Sequence, residues 1–368
     1  PRRVAPGYTD AMATAPLLTV AVAMYQSEDT IERALRSVYE QDFSDYEVII
    51  VNDGSTDRSV EVAESLNNGP AAVKIVSHSV NQGLGPARNT AVAHAGGKYI
   101  VFVDSDDELM PGALAAIGAV AETSTADVLF LGVVENKRGR DRLLHDPELL
   151  SSLAESPTQW SLDGHPELLM TPPSTWSKAF RREFLREQEV EFPSGFHQDV
   201  PSSTEALLRA STFGAVDHLC YRYIRGEAGS SSTLSKGTKT LVRIAQIQRI
   251  RERNQLTVLP ERIRQYLVAM VAVHLIWGNR AAYRTMPDDL HEQFFHDSSA
   301  ELHRWFELAK PDKQVLSEPL MPTQEREFFT VALLSDSYRL WQQALATHQK
   351  RLRWQRRFDL SRYRVFKR

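Results

Sequence analysis

Cysteine is nearly absent from this chain: Cys220 stands alone among 368 residues, so no internal disulfide can form. Its strand-like surroundings mark it as a buried structural thiol. Long apolar runs are missing too. Tyr266 to Trp277 is too short and too interrupted to cross a bilayer, which takes about 20 predominantly apolar residues. Pro1 to Ala15 has no apolar core of the signal-peptide kind and reads as a disordered tail over residues 1–15. Glycine is absent from Met24 to Thr30, just after the first apolar run, where a sugar nucleotidyltransferase needs a glycine-rich phosphate loop. Gly83-x-Gly85 lacks the third glycine of a dinucleotide fingerprint and does not follow the first strand, which argues against a dinucleotide-dependent dehydrogenase. Net positive charge is missing everywhere but the end. The formal charge is −4, yet residues 350–368 hold nine Lys/Arg against one Asp, which leaves about −12 on the rest. An acidic body with no visible binding module argues against nucleic acid.

What is present begins with Val101-Phe102-Val103-Asp104-Ser105-Asp106-Asp107. Three apolar residues read as a buried parallel strand, and open α/β sheets place ligands at the C-terminal ends of such strands. Two aspartates separated by one residue suit a hard divalent cation that also holds phosphate oxygens. An acidic turn capping the next helix would give the same pattern, so the upstream context decides. Leu17–Ala23, Glu47–Val51, Val73–Val76 and Tyr99–Val103 read as strands, and helical spacing follows at Asp29–Glu40, Arg58–Leu66 and Ala87–Ala95. Ile31, Ala34, Leu35 and Val38 form the apolar face of the first helix. This alternation predicts an α/β fold with a mostly parallel, Rossmann-like sheet.

The motifs along this pattern are Met24-Tyr25-Gln26-Ser27-Glu28, Ser37-Val38-Tyr39-Glu40-Gln41, Val51-Asn52-Asp53-Gly54-Ser55-Thr56-Asp57, Asn81-Gln82-Gly83-Leu84-Gly85-Pro86-Ala87-Arg88-Asn89 and Asp104-Ser105-Asp106-Asp107. In this order they resemble the nucleotide-binding half of a family 2 glycosyltransferase. Ala23 and Gln26 depart from the Pro and Asn usual in the first motif. The resemblance implies the GT-A fold and a UDP-sugar donor. It implies substrate contacts at Tyr25, Glu28, Asp53, Arg88, Asp104 and Ser105, and a Mn²⁺ or Mg²⁺ ion on Asp106 and Asp104. Asp53 would accept the imide N–H of uracil, and Arg88 would meet the base or a phosphate.

The second half should hold the acceptor. Trp176 to Leu185 resembles the family segment that leads there, and Phe192 to Val200 follows. The family's common Glu-Asp stands here as Gln198-Asp199. The comparison makes Asp199 the general base, with Gln198 a substrate contact, and a helix follows at Ser203–Ala210. His197 reads as a surface residue. Tyr221 to Arg225 resembles the family's aromatic-basic strand after a strand at Thr212–Val216. Alternation puts Tyr221, Tyr223 and Arg225 on one face. Arg225 is the candidate diphosphate contact, with Arg222 as the alternative, and Gly226 to Thr233 reads as a flexible loop.

The expected organisation is a nucleotide-sugar-binding half over 16–110, an acceptor-binding half over 111–237, and a helical C-terminal region over 238–368 with helices near 238–255, 259–284, 287–309 and 322–358. Trp277, Trp305 and Trp341 should fill its core. The resemblance implies a metal-dependent transferase that inverts the anomeric carbon, because one base is found and no second carboxylate motif offers a covalent nucleophile. The expected acceptor is a hydroxyl on a glycan or glycopolymer. The helical region should position the acceptor or assemble copies of the chain, and its basic tail should meet anionic lipid, a polyanionic acceptor polymer or the acidic body of this or another copy; the expected location is cytoplasmic, at the inner face of the membrane if the partner is lipid. The competing reading is a non-catalytic nucleotide-sugar-binding or scaffold domain of the same fold.

Overall fold

Short runs of Val, Ile and Leu in the first hundred residues become a parallel sheet. In the computed structural model, which describes residues 15–66, 72–144, 147–155, 160–225, 237–311 and 323–347, β1 (Leu18–Met24) lies between β2 (Tyr46–Asn52) and β4 (Tyr99–Asp104). β3 (Ala72–Ser77) flanks β2, and all these pairs are parallel. Helix α1 (Ile31–Tyr39) buries Ile31, Ala34, Leu35 and Val38, the face read from its spacing. α2 (Ser59–Ser65) and α3 (Leu84–His94) follow their strands in turn. The register pairs Ala23 with Asp104 and Met24 with Asn52. Tyr25, Asp53 and Ser105 each follow the last residue of one of three neighbouring strands, at the C-terminal ends where α/β folds bind ligands.

Past β4 the chain forms β5 (Glu108–Leu109), α4 (Ala113–Thr123), β6 (Val128–Lys137), β7 (Arg140–Leu143) and α5 (Pro147–Glu155). It continues through β8 (Lys178–Arg181), α6 (Arg182–Glu187), α7 (Asp199–Arg209) and β9 (Phe213–Arg225). The nine-stranded sheet runs β3-β2-β1-β4-β8-β6-β9-β5, with β7 on β6. β8 is antiparallel to both β4 and β6, and β6 is parallel to β9. The sheet is thus parallel through its first half and mixed beyond. The two strands expected at 212–216 and 221–225 are one strand, β9, whose register against β6 shifts around Gly132. A Cβ at Gly132 would lie 2.2 Å from the His218 carbonyl oxygen, so only glycine permits that approach.

The C-terminal region consists of α8 (Val242–Arg253), α9 (Glu261–Thr285), α10 (Asp288–Leu308), α11 (Thr323–Leu334) and α12 over 338–347. The single helix expected over 322–358 breaks near Asp336, whose φ is 48°. α9 is buried from Tyr266 to Ile276 without interruption, as befits a helix surrounded by others. Trp305 and Trp341 are fully buried, and Trp277 packs partly buried against the same core. That core is continuous with the sheet: Ala21, Ile49, Phe102, Phe192 and Leu207 share one apolar cluster with Leu267, Val271, Trp305 and Trp341. Among the described residues, no helix is long and apolar enough to cross a membrane. The tail over 1–14, the loop over 226–236 and the basic tail over 350–368 lie outside the described residues.

Candidate active site

Asp104 ends β4, and the turn after it gathers three carboxylates. Oxygens of Asp104, Asp106 and Asp107 lie within 4.8 Å of one another. Asp107, which the sequence offered only as part of a motif, is 1 % exposed. Its Oδ2 accepts the Tyr221 hydroxyl at 2.8 Å, and its Oδ1 accepts the Ile224 N–H at 2.7 Å. The Tyr221 oxygen in turn accepts the Asp104 N–H at 3.1 Å. One phenol on β9 thereby fastens the turn. Burial pushes the Asp107 carboxyl well above the usual range, and the charges of Asp106 and Asp104 add to it. Burial raises Asp104 as well, with Arg88 acting against it and Asp199 for it. Crowded carboxylates that raise one another form a deficit of positive charge, which suits a hard divalent cation with oxygen ligands. Ser105 Oγ lies 2.8 Å from Ser27 Oγ, and the Asp106 carbonyl accepts Arg33 Nη2 at 2.7 Å.

Arg88 joins this turn to the second half of the chain. It projects from α3 and is 1 % exposed. Nη2 donates to Asp104 Oδ1 at 2.7 Å, while Nη1 donates to Asp199 Oδ1 and, at 3.3 Å, to Thr175 Oγ1. Burial opposes the charge, but Asp199 and Asp104 outweigh it, and the guanidinium is held above its ordinary value. Arg88, expected at the base or a phosphate, bridges two carboxylates in the interior. Asp199 is the first residue of α7, earlier than the expected helix start, where the N-terminal end of the helix suits a negative charge. The Thr175 hydroxyl and the Gln198 amide both donate to its Oδ1 at 2.7 Å. These bonds all fall on Oδ1 and leave Oδ2 as the oxygen they do not engage. Lys178, fully buried nearby, donates to the carbonyls of Pro172 and Ser174 and to Ser177 Oγ. Burial pushes its amine down to about 7, against the pull of Asp199.

The nucleotide side is built from loops after β1, β2 and β3. Tyr25 is half exposed. Gln26 sits at φ 49°, a left-handed conformation that suits the family's Asn, and its Oε1 accepts the Thr56 N–H at 2.8 Å. Glu28 Oε2 accepts the Arg58 N–H at 3.1 Å, so this expected contact braces the start of α2. Asp53 is 3 % exposed and accepts His78 Nδ1, the Gln82 N–H and the Gly83 N–H. A carboxylate has about four acceptor sites, so one remains on Asp53. Arg222 pairs with Glu108 and Asp141, and Arg225 pairs with Glu135 at 2.8 Å. Trp176 stacks on Tyr221 and Tyr223 at 4.9 and 5.1 Å, which places both tyrosines on the shared face read from alternation. His197, read as a surface residue, is instead half-buried at φ 61° against Arg243 of α8. A cleft of about 560 Å³ between α6, α7 and α8, lined by Glu187, Leu208, Arg253 and Leu259, holds none of these carboxylates.

Comparison with known proteins matches this layout. The sequence model described as "Glycosyl transferase family 2" covers residues 19–187. The uncharacterized glycosyltransferase EpsJ of Bacillus subtilis is 31 % identical over 212 residues, 56 % of this chain and 61 % of its own length. Poly(ribitol-phosphate) beta-N-acetylglucosaminyltransferase TarS of Staphylococcus aureus is 28 % identical over 228 residues, 59 % of this chain and 37 % of its own length. The chain thus spans less than two thirds of either relative. The crystal structure of S. aureus TarS 1-349 in complex with UDP-GlcNAc superposes with a TM-score of 0.69 at 20 % identity, over 90 % of this chain and 91 % of that one. The same fragment in complex with UDP gives 0.64.

Proposed function

From a chain that carries a glycosyl transferase family 2 domain on the GT-A fold, we propose transfer of a sugar from a UDP-sugar to an acceptor hydroxyl, with inversion at the anomeric carbon. The observation that carries this reading is the Arg88 bridge. It ties Asp199, the candidate base, to Asp104 of the acidic turn, so a donor-holding group and a proton acceptor share one buried cation. The TarS structures with UDP-GlcNAc and UDP support the choice of donor.

In this reading Tyr25 stacks on uracil, and the remaining acceptor site of Asp53 takes the imide N–H. Asp104 and Asp106 hold Mn²⁺ or Mg²⁺, Asp107 braces their turn from β9, and Ser105 and Glu28 shape the loops around them. A bound divalent ion supplies positive charge to the departing diphosphate. Arg225, at the end of β9, meets the diphosphate from the other side. Thr175, Gln198 and Arg88 hold Oδ1 of Asp199, so that Oδ2 removes the proton from the attacking hydroxyl. The buried Gln198 Oε1, which has no partner among the described residues, accepts a hydroxyl of the same acceptor. A single base on the face opposite the leaving group yields inversion. The acceptor is a glycan or glycopolymer, and the reaction belongs on the cytoplasmic side, where nucleotide sugars are supplied.

The test is nucleotide release from a panel of UDP-sugars with Mn²⁺, for the wild type and Asp199→Asn. Loss of a general base costs roughly 10²–10⁴-fold in rate, and UDP affinity should stay near that of the wild type. Turnover within a few-fold of wild type would remove Asp199 from the chemistry. A wild type that binds UDP but turns over no donor would favour the scaffold reading.

A further inference from the structure

Arg243 carries a part-buried positive charge with no acid beside it among the described residues. It lies in the first turn of α8, and its guanidinium reaches two histidine rings: Nη2 is 3.1 Å from His197 Nδ1, and Nη1 is 3.3 Å from His274 Nδ1. A guanidinium has only donors, so both rings must accept, which requires them neutral. They are neutral: burial, followed by the Arg243 charge itself, pushes each down to about 3. Arg243 Nε is buried with no hydrogen-bond partner among the described residues. Among the described residues no carboxylate pairs with Arg243, and burial alone pushes it down to about 10. A charge taken partly out of water with no acid beside it costs stability.

The fold nevertheless makes room for this one. Gly278 of α9 lets the arginine stem pass, since a Cβ there would lie 2.8 Å from Arg243 Cδ. His197 is held at φ 61°, a strained conformation for a residue other than glycine, where it meets the guanidinium. Lys239, exposed and without an acid partner among the described residues, lies 4.5 Å above the ring of Phe196, the residue before His197. His197 and Arg243 are both part-exposed, so the cluster is open to solvent. It is also next to the chemistry, because His197 stands two residues before Asp199 and feels its charge.

We propose that Arg243, with His197 and Lys239, forms an acceptor subsite for an oxyanion, a phosphodiester or a carboxylate carried by the acceptor beside its reactive hydroxyl. A planar guanidinium binds such groups through paired N–H donors, and each Nη of Arg243 keeps a second N–H beside the one given to a histidine. The helical region therefore contributes to acceptor recognition and not only to packing. The inference rests on the transferase reading above for the word acceptor, but the anion site itself can be tested without it.

The experiment is calorimetric titration of the full chain, saturated with UDP and MnCl₂, using dimethyl phosphate in one arm and sodium acetate in the other. The wild type should bind at least one of them at a single weak site, and the preferred arm identifies the oxyanion. Arg243→Gln should weaken that binding roughly 10- to 100-fold, the loss of a charge-assisted pair, while Arg243→Lys should retain part of it. UDP affinity reports whether each variant is folded. Should Arg243→Gln fail to fold, His197→Asn, which tolerates the left-handed backbone, must weaken binding in its place. No binding of either anion to the wild type, or equal binding to the folded variants, would overturn the subsite. If UDP itself fails to bind, the donor reading falls, and the anion titration without UDP still decides the subsite.

Discussion

Lys178 takes a positive charge into the interior beside the candidate base and meets only neutral oxygens: two carbonyls and a hydroxyl. Its folded value of about 7 lies below the ordinary 10.5, so between these limits the unfolded chain binds more protons than the folded one. Stability from this group must then rise with pH through that window, by at most about 1.4 kcal/mol per pH unit, and stay at its low level below it. Urea denaturation of the wild type and Lys178→Met at pH 7, 8 and 9 should show the wild type gaining on the variant at each step. A constant difference would mean that the amine stays charged throughout. Residues such as Asp53, Asp104, Asp106 and Asp199 were legible in sequence because their motifs are local. Their partners were not. Arg88 meets Asp199 across 111 residues, and Tyr221 meets Asp107 across 114, and no local pattern records such pairings. Lys178 and Thr175 were hidden for the same reason: a buried cation and a hydroxyl gain meaning only from what surrounds them.

At the level of elements, β9 holds the acidic turn through Tyr221. Tyr221→Phe keeps the ring stacked on Trp176 but removes the one hydroxyl that serves both the Asp107 carboxylate and the Asp104 N–H. Leaving buried polar groups unpaired costs roughly 1–3 kcal/mol each, so the variant should lose about 2 kcal/mol of stability and, under the proposed function, much of the Mn²⁺ dependence of UDP binding. Denaturant midpoints and calorimetry check both, and unchanged metal dependence would show that the turn holds its shape without β9. The regular βα alternation through β4 was readable because each strand is a short apolar run followed by helical spacing. β8, with four residues, and β5, with two, are too short to show any period. β6 does present a continuous apolar run, yet its place between β8 and β9 depends on strand pairing far apart in sequence. The join of the two expected strands into β9 turned on Gly132, which lies on the partner strand.

For the molecule as a whole, the helical region is not an appendage. Its buried Leu267, Val271 and Trp305 share one apolar cluster with Phe102 of the sheet and Leu207 of α7, and Arg253 of α8 reaches the fully buried Glu205 of α7 at 3.1 Å. A chain ended at Gly237 should therefore lose its cooperative melt and aggregate, because the sheet face loses its cover. Size-exclusion chromatography and circular dichroism check this; a monodisperse fragment melting within a few degrees of the full chain would make the two parts independent.

The lock on Asp107 also imposes an order in time. Its closing partners, Tyr221 and Ile224, are made 114 and 117 residues after it. Closing a loop of that length costs on the order of 4 kcal/mol of chain entropy, so Asp107 stays without these two partners until β9 has been translated and paired, while Ser27, Arg33 and Arg88 already hold the rest of the turn. A nascent chain with β1 to β4 already complete would still lack a finished carboxylate turn. Asp199 is made before β9, so the candidate base and its Arg88 bridge are in place before the last carboxylate of the turn is locked.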